Sequence, residues 1–135
     1  MTYSVLYISS AAPDLNHNDV QDIMEAAAAN NDPLQISGFL VFDDGNFLQL
    51  LEGEEEQVNM IYDRIKKDLR HRNIIPVLEQ HTGIKGFDFY HSGFRICDNP
   101  KLVEELKNYV SLIRNIEAPQ LRKTINLVDA ILHAM

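Results

Sequence analysis

The sequence contains one cysteine, Cys97, among its 135 residues, which excludes an intramolecular disulfide and favours a reducing compartment. It has no apolar run near the roughly 20 residues of a membrane helix, and no basic segment before its apolar N-terminal stretch. Its net charge of −8 argues against binding to nucleic acid or to an anionic membrane. We therefore expect a cytoplasmic globular protein with no signal peptide and no membrane or nucleic-acid partner.

The motifs that identify many enzymes and metal sites are also missing. The sequence has no glycine-rich phosphate loop, C-x-x-C, H-E-x-x-H or G-x-S-x-G, and its five histidines lack the spacing of metal ligands. Glu52 and Glu54–Glu56 are typical of a solvated helix start rather than of acid–base catalysis. Cys97 has no activating neighbour in the sequence and is interpreted as a small buried residue. Neither an enzymatic activity nor a metal is predicted.

The spacing of apolar residues predicts five strands and four helices. The strands are predicted at 3–9, 34–44, 46–53, 73–82 and 87–96, with a hairpin turn at Asp44-Gly45. The first helix runs from caps at Asn16 and Asn18 to Asn30-Asn31, and the others lie at 54–69, 100–115 and 120–134. The inward stripe of the second helix is predicted to contain Val58, Ile61, Tyr62, Ile65 and Leu69.

The order βαββαββ is typical of an α+β, ferredoxin-like mixed sheet with two helices on one face. Right-handed crossovers place the first and third strands side by side at the centre. The second face also needs a cover, for Leu6, Ile8, Ile36, Leu40, Phe42, Leu48 and Leu50. The two C-terminal amphipathic helices supply it, or else pack on another subunit. We expect a domain at 1–97 with a two-helix appendage at 98–135.

Polar residues interrupt this apolar pattern at three positions. Gln49 lies within the run FLQLL, where an unsatisfied amide costs roughly 1–3 kcal/mol. Tyr7 lies between two apolar residues, and Asn30-Asn31 ends the first helix. Each alone is explained by an ordinary core contact or a turn. Because the predicted fold brings all three to one cleft between the helices, together they fit a flat heterocycle edged with C=O and N–H groups.

Six segments carry a family resemblance. They are YIS at 7–9, NN at 30–31, ISGFLVF at 36–42, FLQLLEG at 47–53, and RIKKDLRHRNI at 64–74 followed by SGF at 92–94. In this order and spacing, over roughly residues 3–95, the sequence resembles the BLUF family, the blue-light sensors that use FAD.

The resemblance implies flavin-binding roles for ten residues. Tyr7 would donate an electron and a proton to the excited flavin, and Gln49 would lie between Tyr7 and the flavin's N5 and C4 carbonyl. Asn31 would bind the C4 carbonyl and N3 edge, with Asn30 toward the other carbonyl. The remaining roles are the ring faces for Ile23 and Ile65, the polar edge or tail for Arg64 and Asp68, and the pocket wall for Ser9 and Phe47.

The resemblance also implies a light-driven switch rather than catalysis. After the electron and proton leave Tyr7, recombination would leave the Gln49 amide rotated or tautomerised. A new hydrogen bond to the C4 carbonyl would shift the flavin absorption to the red. The sheet would pass this change to the C-terminal helices and to an unidentified partner protein, since no effector domain follows in the sequence.

The fifth strand departs from the family's usual Trp-x-Met-Gly-Phe, because here it is Tyr90-His91-Ser92-Gly93-Phe94. Tyr90 and Ser92 therefore stand at the signal-relay positions, and a serine hydroxyl bonds an amide more strongly than a thioether does. The hypothesis is that flavin binding survives while output, recovery rate or photochemical yield changes. A slip in strand register would remove the correspondence.

Two other functions stay open. One is a flavin-binding adaptor with impaired or absent light signalling, motivated by Ser92. The other is a small ferredoxin-like enzyme such as an acylphosphatase, which would need a glycine-rich loop and an arginine where the chain has SSAAPDLN. The expected cofactor is FAD, with FMN or riboflavin as alternatives because the pocket contacts mainly the ring. The apolar faces of the last two helices suggest a homo-oligomer.

Overall fold

The computed structural model describes residues 2–87, 94–116 and 118–135. Its strands are β1 (Thr2–Ala11), β2 (Ser37–Asp43), β3 (Asn46–Glu54), β4 (His71–His81) and β5 (Phe94–Cys97). Its helices are α1 (His17–Asn31), α2 (Glu55–Lys67), α3 (Pro100–Arg114) and α4 (Arg122–Ala134). Short 3₁₀ turns lie at Asp32–Leu34 and Pro119–Leu121. Within these ranges, no helix is long and apolar enough to cross a bilayer.

The strands form one mixed sheet in the order β4-β1-β3-β2-β5. The central strands β1 and β3 are antiparallel, and β5 lies parallel to β2 at one edge. This arrangement confirms the predicted α+β, ferredoxin-like fold and the adjacency of the first and third strands. The two-residue turn at Asp44-Gly45 has positive φ at both positions, as a tight hairpin requires, and it pairs Asp43 with Asn46.

Each face of the sheet is covered by its own pair of helices. Val5, Leu40 and Leu51 pack with buried residues of α1 and α2. On the other face, Leu6 and Leu50 pack with buried residues of α3 and α4, so the predicted cover by the C-terminal helices is confirmed. The second strand corrects one expectation. Ile36, Leu40 and Phe42 face α1 and α2, because Leu40 pairs with Gln49 and paired residues share a face.

Local interactions explain where the first two helices begin and end. Asn16 caps α1, since its Oδ1 accepts from the backbone N–H of Asp19 at 2.9 Å while Asp19 Oδ2 accepts from Asn16 N at 3.0 Å. Helix α2 ends at Lys67 because Asp68 is extended. The inward position predicted for Leu69 is therefore wrong, and 87% of this residue is exposed.

Three further expectations are corrected or limited. Glu52 was predicted to be solvated with its acidic neighbours, but it is fully buried. The second strand begins only at Ser37, because a 3₁₀ turn occupies Asp32–Leu34. Of the predicted fifth strand, Phe87 lies in a turn, Phe94–Cys97 form β5, and the positions between them, including Tyr90 and Ser92, lie outside the described residues.

Gly38 in β2 is required by close backbone packing. Its φ is 129°, and a Cβ there would lie 2.0 Å from the backbone oxygen of Leu50. We expect Gly38→Ala to lower the free energy of unfolding by about 3 kcal/mol or more, because both the backbone strain and the overlap must be relieved. The control is Gly45→Ala, where φ is 79° but no atom lies within 4 Å. This change should cost only about 1–2 kcal/mol. Urea unfolding compares the two, and equal losses would contradict the packing explanation.

Candidate functional site

Tyr7 and Gln49 form a buried pair at the centre of the sheet. They lie directly opposite each other in the register of β1 and β3, on the face covered by α1 and α2. The Tyr7 hydroxyl donates a hydrogen bond to Gln49 Oε1. Burial raises the pKa of the Tyr7 phenol, and nearby Tyr62 and Asp68 raise this pKa further. The phenol is therefore neutral at physiological pH and serves as a hydrogen-bond donor.

A cavity opens beside this pair, between α1 and α2. It encloses about 90 Å³, and about 510 Å³ when its solvent-open mouth is included. Its apolar walls come from both helices and from β2, and its polar lining comes from helix ends and from β3. The lining residues are Ile23, Ala26, Ala27, Asn30, Asn31, Leu40, Gln49, Ile61, Arg64, Ile65, Asp68, Arg70 and His71.

Three buried amide atoms beside this cavity lack hydrogen-bond partners among the described residues. Asn31, the last residue of α1, is fully buried, and both its Oδ1 and its Nδ2 lack a hydrogen bond within the described parts of the chain. Gln49 Nε2 likewise has no partner there, while its Oε1 is bonded to Tyr7. Such groups are costly in a folded protein unless a ligand satisfies them. The three atoms fit a ligand whose edge carries adjacent acceptors and a donor.

An ion pair between Asp68 and Arg70 lines the same cavity. Arg70 Nε lies 3.0 Å from Asp68 Oδ1, and Arg70 Nη2 lies 2.7 Å from Asp68 Oδ2. These hydrogen bonds lower the pKa of the Asp68 carboxyl and raise the pKa of the Arg70 guanidinium. With Arg64 also in the lining, the polar part of the cavity holds a fixed carboxylate and two cations.

The predicted site residues fall into two groups. Seven of the ten line the cavity: Ile23, Asn30, Asn31, Gln49, Arg64, Ile65 and Asp68. Tyr7, Ser9 and Phe47 lie behind the lining, where Tyr7 bonds Gln49, and Ser9 and Phe47 both contact His71. The signal-relay positions Tyr90 and Ser92 lie outside the described residues.

Sequence reasoning missed six of the lining residues. Leu40 could have been found from the hairpin register, which pairs it with Gln49. Ala26, Ala27, Ile61, Arg70 and His71 complete the list. Ile61 was already placed on the inward stripe of the second helix. Arg70 and His71 follow the end of α2 and lie on no predicted helix or strand. Among the described residues, no three His, Cys, Asp or Glu side chains are arranged to hold a metal ion.

His71 connects the lining to the residues behind it and should make stability depend on pH. Its Nδ1 lies 3.2 Å from Ser9 Oγ, and its ring centroid lies 4.7 Å from that of Phe47. Burial lowers the pKa of His71 below its ordinary value of 6.5, Asp68 opposes this shift and Arg70 adds to it. Because the folded pKa is the lower one, stability is fully present above pH 6.5 and is lost as the pH falls through the folded pKa.

We therefore expect the wild type to lose more stability between pH 7 and pH 5 than a His71→Gln variant does. Urea midpoints at the two pH values measure the difference. The exposed His17 provides the control, since His17→Gln should keep the wild-type pH dependence. An unchanged pH dependence in His71→Gln would show that another group causes the loss.

Comparisons with known proteins agree with this geometry. The profile of the family described as "BLUF: Sensors of blue-light using FAD" matches residues 2–92. The "Blue light- and temperature-regulated antirepressor BluF" of Escherichia coli is 34% identical over 87 residues, which are 64% of this chain and 22% of the antirepressor.

Solved structures share the fold over nearly the whole chain. "BlrP1 BLUF" has a TM-score of 0.76 at 26% identity, over 98% of this chain and 90% of that chain. Klebsiella pneumoniae BlrP1 with FMN and cyclic diGMP has a TM-score of 0.74 at 26% identity, over 98% of this chain and 35% of that one. The family match, over more than half of the sequence, includes every described residue of the cavity lining. The chain therefore belongs to the BLUF family of flavin-based blue-light sensors.

Proposed function

We propose that the protein is a blue-light photoreceptor that holds a flavin non-covalently in the cavity between α1 and α2. The observation that carries this proposal is the arrangement of Tyr7, Gln49 and Asn31: a neutral phenol bonded to one buried amide, beside a second buried amide with no hydrogen-bond partner among the described residues. A redox-active phenol and two amides are what a light-driven hydrogen-bond switch on a flavin requires.

The residues present fit the cofactor. A flavin ring edge carries C=O and N–H groups that would satisfy the Oδ1 and Nδ2 of Asn31 and the Nε2 of Gln49. Ile23 and Ile65, on facing helices, offer aliphatic surfaces for the two ring faces. Because the enclosed 90 Å³ is small for three fused rings, we expect α1 and α2 to move apart and the ring to use the open mouth as well.

Tyr7, behind the lining, and Gln49, within it, would perform the switch. When bound, the flavin supplies a chromophore that absorbs blue light and becomes an oxidant in its excited state. Tyr7 would lose an electron, which makes its O–H strongly acidic, and the hydrogen bond to Gln49 Oε1 gives the proton a path. Recovery with the Gln49 amide rotated or tautomerised would present a different donor and acceptor pattern to the cavity. An added hydrogen bond to the ring carbonyl would then shift the absorption to the red.

We propose FAD as the resident flavin. The family's description names FAD, and Arg64 with the Asp68–Arg70 pair offers charged groups for the part of the cofactor beyond the ring. FMN is the alternative, because BlrP1 is known with FMN and the ring contacts are the same for both. Mass spectrometry of the flavin released from the purified protein distinguishes them.

The signal would leave through a partner protein that contacts the C-terminal helices. We propose residues 1–97 as the flavin-binding unit and 98–135 as the output unit, with self-association as a second use of the same helices. Exposed apolar side chains support this role, since Leu112 is 68% and Ile116 is 63% exposed.

The decisive experiment is an absorption spectrum of the purified protein before, during and after blue illumination. A yellow protein whose flavin bands shift to the red in light and return in the dark supports the proposal. A protein that neither is yellow nor binds added FAD, FMN or riboflavin would rule it out. A yellow protein with an unchanged spectrum would instead be the light-insensitive adaptor.

A further inference from the structure

Glu52 is a buried carboxylate on the face of the sheet opposite the cavity. It follows Gln49 by three positions on β3 and shares a face with Leu48 and Leu50. Its two oxygens accept hydrogen bonds from the backbone N–H groups of Gly86 and Phe87, each at 2.9 Å. Because both carboxyl oxygens accept a backbone N–H, these two bonds tie the position of the 86–87 segment to β3.

Helix α3 holds the same segment from the other side. The Tyr109 hydroxyl donates to the backbone oxygen of Gly86 at 2.6 Å, and the Tyr109 ring centroid lies 5.4 Å from that of Phe87. Phe87 also packs on Phe39 of β2, with ring centroids 5.1 Å apart.

Gly86 is packed closely against a neighbouring side chain. A Cβ on Gly86 would lie 3.0 Å from Leu121 Cδ1, so the segment is also pressed against the residue that precedes α4. The central strand, the segment 86–87 and both C-terminal helices therefore meet at one place.

We propose that Glu52, the segment 86–87 and Tyr109 form a connector that transmits changes in β3 to α3. Glu52 positions the segment relative to the sheet, and Tyr109 positions α3 relative to the segment. A shift of β3 at Gln49 would therefore move α3 through two successive hydrogen-bonded contacts rather than through apolar packing alone. That light causes such a shift of β3 rests on the proposed photoreceptor function. The mechanical coupling between β3 and α3 is a property of the folded chain and is tested separately.

Hydrogen exchange in the dark tests the coupling without any photochemistry. Glu52→Gln puts an amide N–H₂ where one of the two accepting oxygens stands, and Tyr109→Phe removes only the hydroxyl. If the connector is real, Glu52→Gln accelerates exchange in α3, and not only at Gly86 and Phe87, by about tenfold or more. Tyr109→Phe should likewise accelerate exchange at the amides of Gly86 and Phe87.

Matched controls separate coupling from general loosening. The control variants are Glu79→Gln and Tyr3→Phe. Glu79 is exposed on β4, and Tyr3 lies on the face of the sheet covered by α1 and α2. Neither should change exchange in α3 or at Gly86. The connector is overturned if each test substitution affects only its own surroundings and the double variant shows the plain sum of the two effects.

Illumination supplies the second arm of the test. In the flavin-bound wild type we expect light to change amide exchange in α3 by about threefold or more. Tyr109→Phe should keep the red shift and lose this change. A red shift in the wild type without any response in α3 overturns the connector and leaves the photoreceptor standing. Absence of the red shift in the wild type rejects the photoreceptor function. The exchange changes that the Glu52 and Tyr109 variants show in the dark then decide by themselves whether the connector exists.

Discussion

An Asn31→Leu variant is expected to bind flavin about a hundredfold more weakly than the wild type. The variant loses a donor and an acceptor that would pair with the ring edge, each contributing about 1–1.5 kcal/mol, and leaves the ring's own groups unpaired. Its flavin-free form should be at least as stable as the wild type. Leucine is similar in size and removes two fully buried polar atoms that have no partner in the described chain.

The test is whether Asn31→Leu weakens flavin binding without lowering the stability of the flavin-free protein. Flavin affinity is measured by fluorescence titration and stability by urea unfolding of the flavin-free protein. Asn30→Leu is the matched control, because Asn30 precedes Asn31 and lines the cavity but is exposed. It should weaken binding by less than about tenfold. If Asn31→Leu lowers affinity and stability together, the Asn31 amide supports the fold rather than the cofactor.

A Tyr7→Phe variant is expected to remain yellow and to lose the light-driven red shift completely. Phenylalanine occupies nearly the same buried space, so flavin binding should change little. Phenylalanine has no O–H proton to transfer and cannot be oxidised as a phenol. Gln49 therefore receives no proton, and its amide neither rotates nor tautomerises. The lost hydrogen bond leaves Gln49 Oε1 unpaired, which should lower the free energy of unfolding by about 1–3 kcal/mol.

Tyr62→Phe is the control for this change. Tyr62 is also buried, and its ring centroid lies 5.7 Å from that of Tyr7. The two tyrosines differ in that Tyr7 is the one whose hydroxyl donates to Gln49 Oε1. The red shift should survive in this variant. A shift of wild-type size in Tyr7→Phe would exclude Tyr7 as the electron donor, and its loss in Tyr62→Phe alone would assign that role to Tyr62.

The central geometry of the fold could be predicted from the sequence because local rules determine it. The Asp44-Gly45 turn fixes the hairpin, and right-handed crossovers place β1 beside β3. Alternation then puts Tyr7 and Gln49 on one face, where the structure pairs them. The amphipathic stripes of α3 and α4 likewise predicted their position on the far face.

The features that were missed depend on contacts between distant parts of the chain. Glu52 looked solvated because its partners, the N–H groups of Gly86 and Phe87, lie 34 and 35 residues away and are backbone groups that no sequence pattern marks. Leu69 continued a helical stripe, but the chain leaves the helix at Asp68. Tyr7, Gln49, Asn30 and Asn31 were marked by their polarity in the sequence pattern, whereas the other six site residues came from the family resemblance. The roles of all ten toward flavin remain predictions.

Three buried amide atoms, on Asn31 and Gln49, lack hydrogen-bond partners among the described residues, and this has a consequence for the amount of protein in the cell. A fold that leaves such groups for its cofactor to satisfy gains stability with the logarithm of the cofactor concentration, about 1.4 kcal/mol for each tenfold excess of free flavin over its dissociation constant. Chains made when flavin is scarce would spend more time unfolded and be degraded sooner. The abundance of the sensor would then track the availability of its chromophore without any dedicated regulator.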